Sequence, residues 1–177
     1  ELGSSVAVLP QAEPSLKITY VQPKDFTGLL RYVRNILVVT IDPTAYTKVS
    51  VGYENNVWAR GQVVVSLKAP NTESIVEYSK THEKALVDFF VKVEMNRAIE
   101  QLQKEYSMVV MDNLKSDLNV MLNAPANFTY YKDTTDFFWS SNNANTGRMD
   151  LIVYTFPYTD PNTFTEEYLV AKRDSVL

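Results

Sequence analysis

His82 is the single histidine of the chain, and the chain has no cysteine. A nucleophilic triad or a zinc site needs a second nitrogen ligand or a thiolate beside the first, and this sequence offers neither. His82 also stands among polar residues of a predicted helix. We therefore expect no catalytic residue, no metal site and no cofactor to be built around it.

Carboxyl groups are the remaining side chains that could catalyse a reaction. Glycoside hydrolysis needs only two of them, about 5 to 9.5 Å apart. Asp133 and Asp136 flank a predicted hairpin tip, whereas Asp112 and Asp117 lie on a predicted helix. No spacing singles out one pair, and solvated surface charge explains all four residues. The sequence has no glycine-rich phosphate loop, nucleophile elbow or calcium-binding loop.

Aromatic residues concentrate in the C-terminal third, where they could bind a ligand without catalysis. Because a strand directs successive side chains to opposite faces, Phe138 opposes Phe137 and Trp139, so one aromatic set can point away from the core. An exposed set could stack on a sugar ring or anchor a partner protein. Packing between a sheet and the last helix is the alternative interpretation. The candidate ligand-binding residues are Tyr130, Tyr131, Phe138, Trp139, Tyr154 and Tyr158.

The hydrophobic pattern predicts one strand and the helical stretch after it most clearly. Residues 63–67 form a mostly β-branched apolar run, which is typical of a central strand covered on both faces. Pro70 ends the strand, and Asn71 or Thr72 can cap a following helical pattern that continues to residue 118. The apolar stripe of this pattern changes sides near Met95. The change predicts either a bend at that point or a helix covered on two faces.

Other patterns complete an α+β or α/β prediction. Strands are expected at residues 16–21, 36–41, 119–122 and 149–156, with a hairpin whose arms are 128–132 and 136–140. A short helix follows Pro23, and a last helix follows Asp160. We expect an α+β or α/β sandwich in which a mixed sheet, built from the strands near 16, 36, 63 and 150, carries the long helices. One domain over residues 1–177 is expected, with two small lobes as the alternative.

Composition narrows the class of protein. A chain of 177 residues with 45% hydrophobic residues is large enough to bury a core. The net charge of -4 and the mixed signs along the chain argue against nucleic acid as a partner, because that would need a concentrated basic face. No stretch of the sequence approaches the ~20 consecutive apolar residues of a membrane span.

Several short segments, taken together, carry a family resemblance. They are Val57-Trp58-Ala59, Ala69-Pro70, Phe89-Phe90, Glu94-Met95-Asn96-Arg97, Asp136-Phe137-Phe138-Trp139, residues 154–165 and Lys172-Arg173-Asp174-Ser175. The chain resembles an uncharacterised family of predicted lipoproteins from Bacteroides-like bacteria, whose members have no assigned activity. The resemblance implies a cell-envelope location, with attachment to the membrane only through an N-terminal lipid absent from this chain. It also implies a fragment of a longer lipoprotein that lacks the N-terminal signal and a C-terminal part.

The same resemblance suggests a covalent modification. Exported proteins of such bacteria are expected to carry O-glycans where Asp is followed by Ser or Thr and then by a small apolar residue or Thr. Two segments match, namely Asp133-Thr134-Thr135 and Asp174-Ser175-Val176. Thr134 and Ser175 are therefore the predicted modification sites.

The sequence as a whole favours a non-enzymatic envelope domain that binds a partner protein or a glycan. Two other hypotheses stay open: a hydrolase that acts on envelope polymers through carboxylates, and a purely structural envelope component. Two carboxylates facing each other in a pocket would favour the hydrolase. An exposed aromatic patch without convergent acids would favour binding.

Overall fold

The structure is a computed structural model that describes residues 13–176, and over these residues the fold is α+β, as predicted. Strands β1, β2 and β3 precede helices α1 and α2, and strands β4, β5 and β6 precede helix α3. The chain divides into two compact units, Glu1–Ala98 and Ile99–Leu177. No helix among the described residues is both long enough and apolar enough to cross a membrane.

The first unit contains a three-stranded mixed sheet. Its strands are β1 (Asn35–Ile41), β2 (Ser50–Asn55) and β3 (Val63–Ala69), in the order β1-β3-β2. β1 is parallel to β3, and β2 is antiparallel to it. The central position predicted for residues 63–67 is confirmed, and every apolar side chain of β3 is buried.

Helix α1 (Thr72–Lys104) follows β3 directly and packs on its sheet. The Asn71 side chain accepts a hydrogen bond from the backbone N–H of Ser74 at 2.9 Å, so Asn71 satisfies one of the unpaired donors at the helix start, as predicted. The side chains of Leu86 and Phe90 pack in one buried cluster with Val63 and Val65 of β3.

A polar cluster also joins α1 to the beginning of β1. Arg97 donates to both Asn35 Oδ1 (2.8 Å) and Glu94 Oε1 (2.6 Å), and the Asn35 amide donates to the same carboxylate oxygen. The guanidinium of Arg97 also reaches the carbonyl of Arg34. The cluster therefore fixes the rotation of α1 about its own axis relative to β1.

Two predictions for the first unit are wrong. Residues 16–21 form no strand, because Ile18 and Tyr20 on the expected inner side are exposed, although Leu16 packs against the buried cluster. The helix after Pro23 is two short 3-10 helices, Pro23–Asp25 and Gly28–Tyr32. Of the two alternatives for the change of sides at Met95, a bend and a helix covered on two faces, neither breaks the helix, because α1 is continuous from residue 72 to residue 104.

The second unit is built from α2 (Met108–Leu118), β4 (Tyr130–Thr134), β5 (Phe137–Ser141), β6 (Asp150–Tyr154) and α3 (Glu166–Val176). The three strands form an antiparallel sheet in the order β4-β5-β6. Its buried cluster is made of Val110 and Leu114 from α2, Phe138 from β5, and Ala124 and Phe128 from the segment between α2 and β4.

The predicted hairpin is confirmed, but its strands lie two residues and one residue later than the predicted arms 128–132 and 136–140. Other details of the second unit also differ from the sequence prediction. The strand near residue 150 pairs with β5, so it belongs to a separate sheet from the strands near 36 and 63. Residues 119–122 form no strand, because Asn119 ends α2 in a left-handed conformation (φ 53°). The helical pattern breaks at Ser107. Its hydroxyl accepts a hydrogen bond from the N–H of Val110, so Ser107 caps the N-terminus of α2.

Candidate binding face

The register of the second sheet sorts the candidate residues onto two faces, because residues paired across antiparallel strands share a face. One face is the inner face, which packs on α2 and includes Tyr131, Phe138 and Val153. We call the opposite side of the sheet the aromatic face. It consists of Tyr130, Lys132, Thr134, Phe137, Trp139, Ser141, Asp150, Ile152 and Tyr154.

Phe138 and Tyr131 lie on the inner face and differ from each other in exposure. Phe138 is 1% exposed and packs with Leu114 and Phe128, so it is a core residue that leaves no surface for a ligand. Tyr131 is on the outermost strand β4, is 51% exposed and lies with its ring centroid 6.3 Å from that of Phe138. The structure thus separates these two candidates from the other strand residues.

Trp139 occupies the centre of the aromatic face. In the register it stands between Lys132 of β4 and Ile152 of β6. Trp139 and Tyr154 are half-buried, and Tyr130 is 55% exposed. Three of the predicted ligand-binding residues therefore share one accessible surface of a regular sheet.

The indole of Trp139 is held by a polar pair at the end of β6. Its Nε1–H donates to Asp150 Oδ1 at 3.0 Å, and the guanidinium of Arg148 donates to both oxygens of the same carboxylate at 3.1 Å. The hydrogen bond from Arg148 is the main cause that lowers the pKa of Asp150 below its ordinary value, and the hydrogen bond from Trp139 acts in the same direction. The carboxylate is therefore ionised at neutral pH.

A row of aromatic rings continues from Tyr154 to helix α3. The ring of Phe156 lies 6.1 Å from Tyr154 and 6.2 Å from Tyr168 of α3. The ammonium of Lys172 stands 5.0 Å above the ring of Phe156, within the range of a cation–π interaction. This row adds a positive charge beside the aromatic face.

Tyr158 lies in the segment between β6 and α3 rather than on the sheet. It is strongly exposed, and its ring is 5.4 Å from that of Phe164, which is also exposed. Sequence reasoning did not single out Phe164, Asp150 or Arg148 as site residues. The spacing of Asp150, Ile152 and Tyr154 places these three residues on one face of their strand. It does not show that Trp139 shares that face until the register with β5 is known.

One pair of the candidate carboxylates does come together, namely Asp117 of α2 and Asp133 of β4. Their mutual side-chain interaction lowers the pKa of Asp117 and raises that of Asp133 from their ordinary values. Both residues are exposed. Asp133 is in register with Phe138, so the pair lies on the α2 side of the sheet, opposite the aromatic face.

The predicted modification sites are both exposed. Thr134 is the last residue of β4, and its hydroxyl donates a 3.4 Å hydrogen bond to the carbonyl of Phe137. Ser175 lies inside α3 and donates to the carbonyl of Lys172 at 2.7 Å. Modification at either hydroxyl stays a prediction.

His82 lies on an exposed part of α1 and stacks on Tyr78, with ring centroids 4.0 Å apart. Over residues 13–176 no cluster of three or more His, Asp or Glu side chains could hold a metal ion.

Comparison with known families assigns the chain without assigning an activity. A family described as a domain of unknown function, DUF8532, matches residues 1–103, which is more than half of the chain. The chain belongs to this family. Beyond the DUF8532 match, a second domain of unknown function, DUF4837, matches residues 107–177. The two matches meet where α1 ends at Lys104 and Ser107 caps α2. No curated protein and no solved structure matches the chain.

Proposed function

We propose that this chain is a non-enzymatic binding domain of a cell-envelope lipoprotein and that its aromatic face binds a glycan. The observation that carries the proposal is the position of Trp139. It is half-buried at the centre of a sheet face, with Tyr130 and Tyr154 on the same face and its indole fixed by Asp150. A fixed aromatic ring loses little conformational freedom on binding, which favours affinity.

The chemistry of the face matches that of a sugar ring. A pyranose has an apolar surface of C–H groups that can stack on an aromatic ring, and a rim of hydroxyl groups that need hydrogen-bond partners. The hydroxyl of Tyr130, the ammonium of Lys132 and the Arg148–Asp150 pair supply such partners around Trp139. An open sheet face can also accept an internal segment of a long polymer, because neither end of the polymer has to enter a cavity.

The hydrolase hypothesis has one observation in its favour, the Asp117–Asp133 pair, but its geometry weakens it. Both residues are exposed, whereas a ligand site usually encloses most of its ligand's surface. The pair also lies on the opposite side of the sheet from Trp139. These acids therefore cannot act on a glycan that is bound to the aromatic face.

Binding to a panel of immobilised polysaccharides and peptidoglycan fragments tests the proposal. The chain has two tryptophans, one in each unit, and this gives a matched pair of variants. We expect Trp139→Leu to abolish retention of the best-bound polymer and Trp58→Leu to retain it, with circular dichroism confirming that both variants fold. A panel without any bound polymer, or equal losses in the two variants, would refute glycan binding by this face.

The envelope location is a separate part of the proposal and needs its own experiment. It is supported by the lipoprotein resemblance of the sequence. We expect the protein purified from its native host to carry a lipid at its processed N-terminus, which intact-mass measurement with peptide mapping detects. The same map reports whether the peptide with Thr134 carries a glycan. An unprocessed, lipid-free protein would contradict the envelope location and leave the glycan test unaffected.

A further inference from the structure

Over residues 13–176, strand β2 forms an edge of the first sheet, and all six of its residues are exposed. Alternate residues of an antiparallel strand direct their backbone N–H and C=O groups toward the neighbouring strand and away from it. The N–H of Asn56 donates to the carbonyl of Gln62 at 2.8 Å, so these two form a hydrogen-bonded pair at the end of the ladder. Counting back through the register, the residues with outward backbone groups are Val51, Tyr53 and Asn55.

A groove of about 190 Å³ runs beside this edge, between β2 and α1. Val65 of β3 lines it, together with Tyr53 of β2 and three aromatic side chains of α1, which are Tyr78, His82 and Phe89. The ring of Tyr53 lies 5.2 Å from that of Phe89. The volume is below the roughly 300 Å³ at which drug-sized ligand pockets begin, so the groove fits one or two side chains rather than a whole cofactor.

His82 adds a polar group to this groove. Its Nδ1 already has neighbours within α1, because it lies 2.8 Å from the hydroxyl of Thr81 and 3.0 Å from the carbonyl of Tyr78. Nε2 is therefore the ring nitrogen that can exchange a hydrogen bond with a polar side chain in the groove.

Gly52 is a second sign that another chain approaches β2. The residue lies in the middle of the strand, where glycine is unfavourable unless something requires it. Its φ angle is not positive, and a Cβ atom built on it would meet no atom within 4 Å. Neither the backbone conformation nor the packing of this unit therefore requires glycine. In strands, glycine often marks a place where another backbone comes close.

We propose that β2 accepts an extended peptide of a partner protein as an additional strand, with one aromatic or branched apolar side chain of that peptide in the groove. An added strand pairs with the outward groups of all three alternate residues at once, in place of water. The side chains of Val51 and Tyr53 share the α1 side of the sheet with Val65, so alternate side chains of an added strand would point into the same groove. The site lies in the first unit and does not rest on glycan binding by the second.

Selection of peptides from a random linear heptapeptide library displayed on phage, followed by amide hydrogen exchange, tests this proposal on the whole chain. At saturating concentrations of the selected peptide, we expect hydrogen exchange at the amides of Val51, Tyr53 and Asn55 to slow by about tenfold or more. The amides of Gly52 and Glu54 already point toward β3 and should change little. This alternating pattern distinguishes strand addition from any other way of binding.

Two exposed alanines of α1 provide matched variants. Ala85 lines the groove, whereas Ala98 lies outside it. We expect Ala85→Arg to weaken binding of the selected peptide by about tenfold or more, and Ala98→Arg to leave it within about twofold. Both positions are exposed helix sites, so neither variant should impair folding.

Three outcomes would overturn the proposal. The first is that no peptide is enriched, or that the enriched peptide protects other amides. The second is that the two arginine variants bind equally well. The third is that the amides of Val51, Tyr53 and Asn55 are already protected from exchange without peptide. Protection that rises with protein concentration would identify a second copy of the chain as the occupant. Protection that is independent of concentration would identify another part of the same chain.

Discussion

At the scale of single residues, the buried side chain of Gln62 makes three hydrogen bonds to the backbone, and a substitution can test what they contribute. It is 1% exposed, its amide nitrogen donates to the carbonyls of Arg31 and Val33 at 2.7 Å, and its side-chain oxygen accepts from the N–H of Trp58. Leucine would leave these backbone groups without partners, at about 1 to 3 kcal/mol for each one that stays buried. We expect Gln62→Leu to lower the free energy of unfolding by about 2 to 4 kcal/mol.

Chemical denaturation followed by tryptophan fluorescence measures this change. The exposed Gln103 of α1 is the matched control, and Gln103→Leu should change the free energy of unfolding by no more than about 0.5 kcal/mol. Equal stabilities of the two variants would show that the Gln62 hydrogen bonds contribute nothing net.

Asp150 gives the aromatic face a measurable pH dependence. Its folded-state pKa is lowered, first by the hydrogen bond from Arg148. A lowered pKa means that the stabilisation is fully present above the ordinary aspartate pKa and is lost as the pH falls through the lower folded value. In a Trp58→Phe variant, Trp139 fluorescence should therefore change with a midpoint below the ordinary aspartate value, and Asp150→Asn should remove the change. A midpoint at or above that value would contradict the assignment.

Sequence reasoning named three residues of the aromatic face, Tyr130, Trp139 and Tyr154, but could not separate them from candidates on the inner face. Alternation in β5 shows that Phe138 opposes Trp139, yet both are large and aromatic, so the pattern does not tell which one faces the core. That choice depends on α2, whose Val110 and Leu114 cover the face with Phe138. The Asp117–Asp133 pair escaped prediction for a similar reason, since it joins residues from two elements.

At the scale of elements, Ser107 determines where the long helical pattern breaks. The residue is buried. Its hydroxyl donates a hydrogen bond to the carbonyl of Phe128 and accepts one from the N–H of Val110. Removing a helix cap costs roughly 0.5 to 2 kcal/mol, and the unpaired carbonyl of Phe128 adds to that. We expect Ser107→Ala to lower the free energy of unfolding by about 1 to 3 kcal/mol, measured by denaturation. Ser116→Ala, on the exposed side of α2, should have almost no effect; an equal loss would refute the capping role.

The elements that could be predicted are those whose sequence pattern agrees with their burial. The β-branched run of β3 is buried and central, and the hairpin of β4 and β5 forms with a turn at Thr135 and Asp136. Residues 16–21 also alternate, but Ile18 and Tyr20 are exposed. Alternation in one segment does not determine whether a neighbouring strand is present to pair with it, because strand pairing depends on residues far away in the sequence.

At the scale of the whole molecule, each of the two units has its own buried cluster, and each unit contains one tryptophan. The sequence prediction of a single domain over residues 1–177 stays a prediction, with two lobes as its alternative. We expect Gln62→Leu to shift the unfolding transition reported by Trp58 and to leave that of Trp139 in place, and Ser107→Ala to do the reverse. Single-tryptophan variants made with Trp58→Phe or Trp139→Phe measure the two transitions. Transitions that shift together in both variants would instead support one cooperative domain.

The central claim is that one face of the second sheet binds a glycan, and adjacent tyrosines test it most directly. Tyr130 and Tyr131 are 55% and 51% exposed and lie on opposite faces of β4. Titration calorimetry with the best-bound polysaccharide compares the alanine variants of these two residues. Loss of one aromatic stacking contact should cost about 1 to 1.5 kcal/mol, so Tyr130→Ala should weaken binding about tenfold and Tyr131→Ala less than about twofold. Equal losses, or a larger loss for Tyr131→Ala, would contradict the claim.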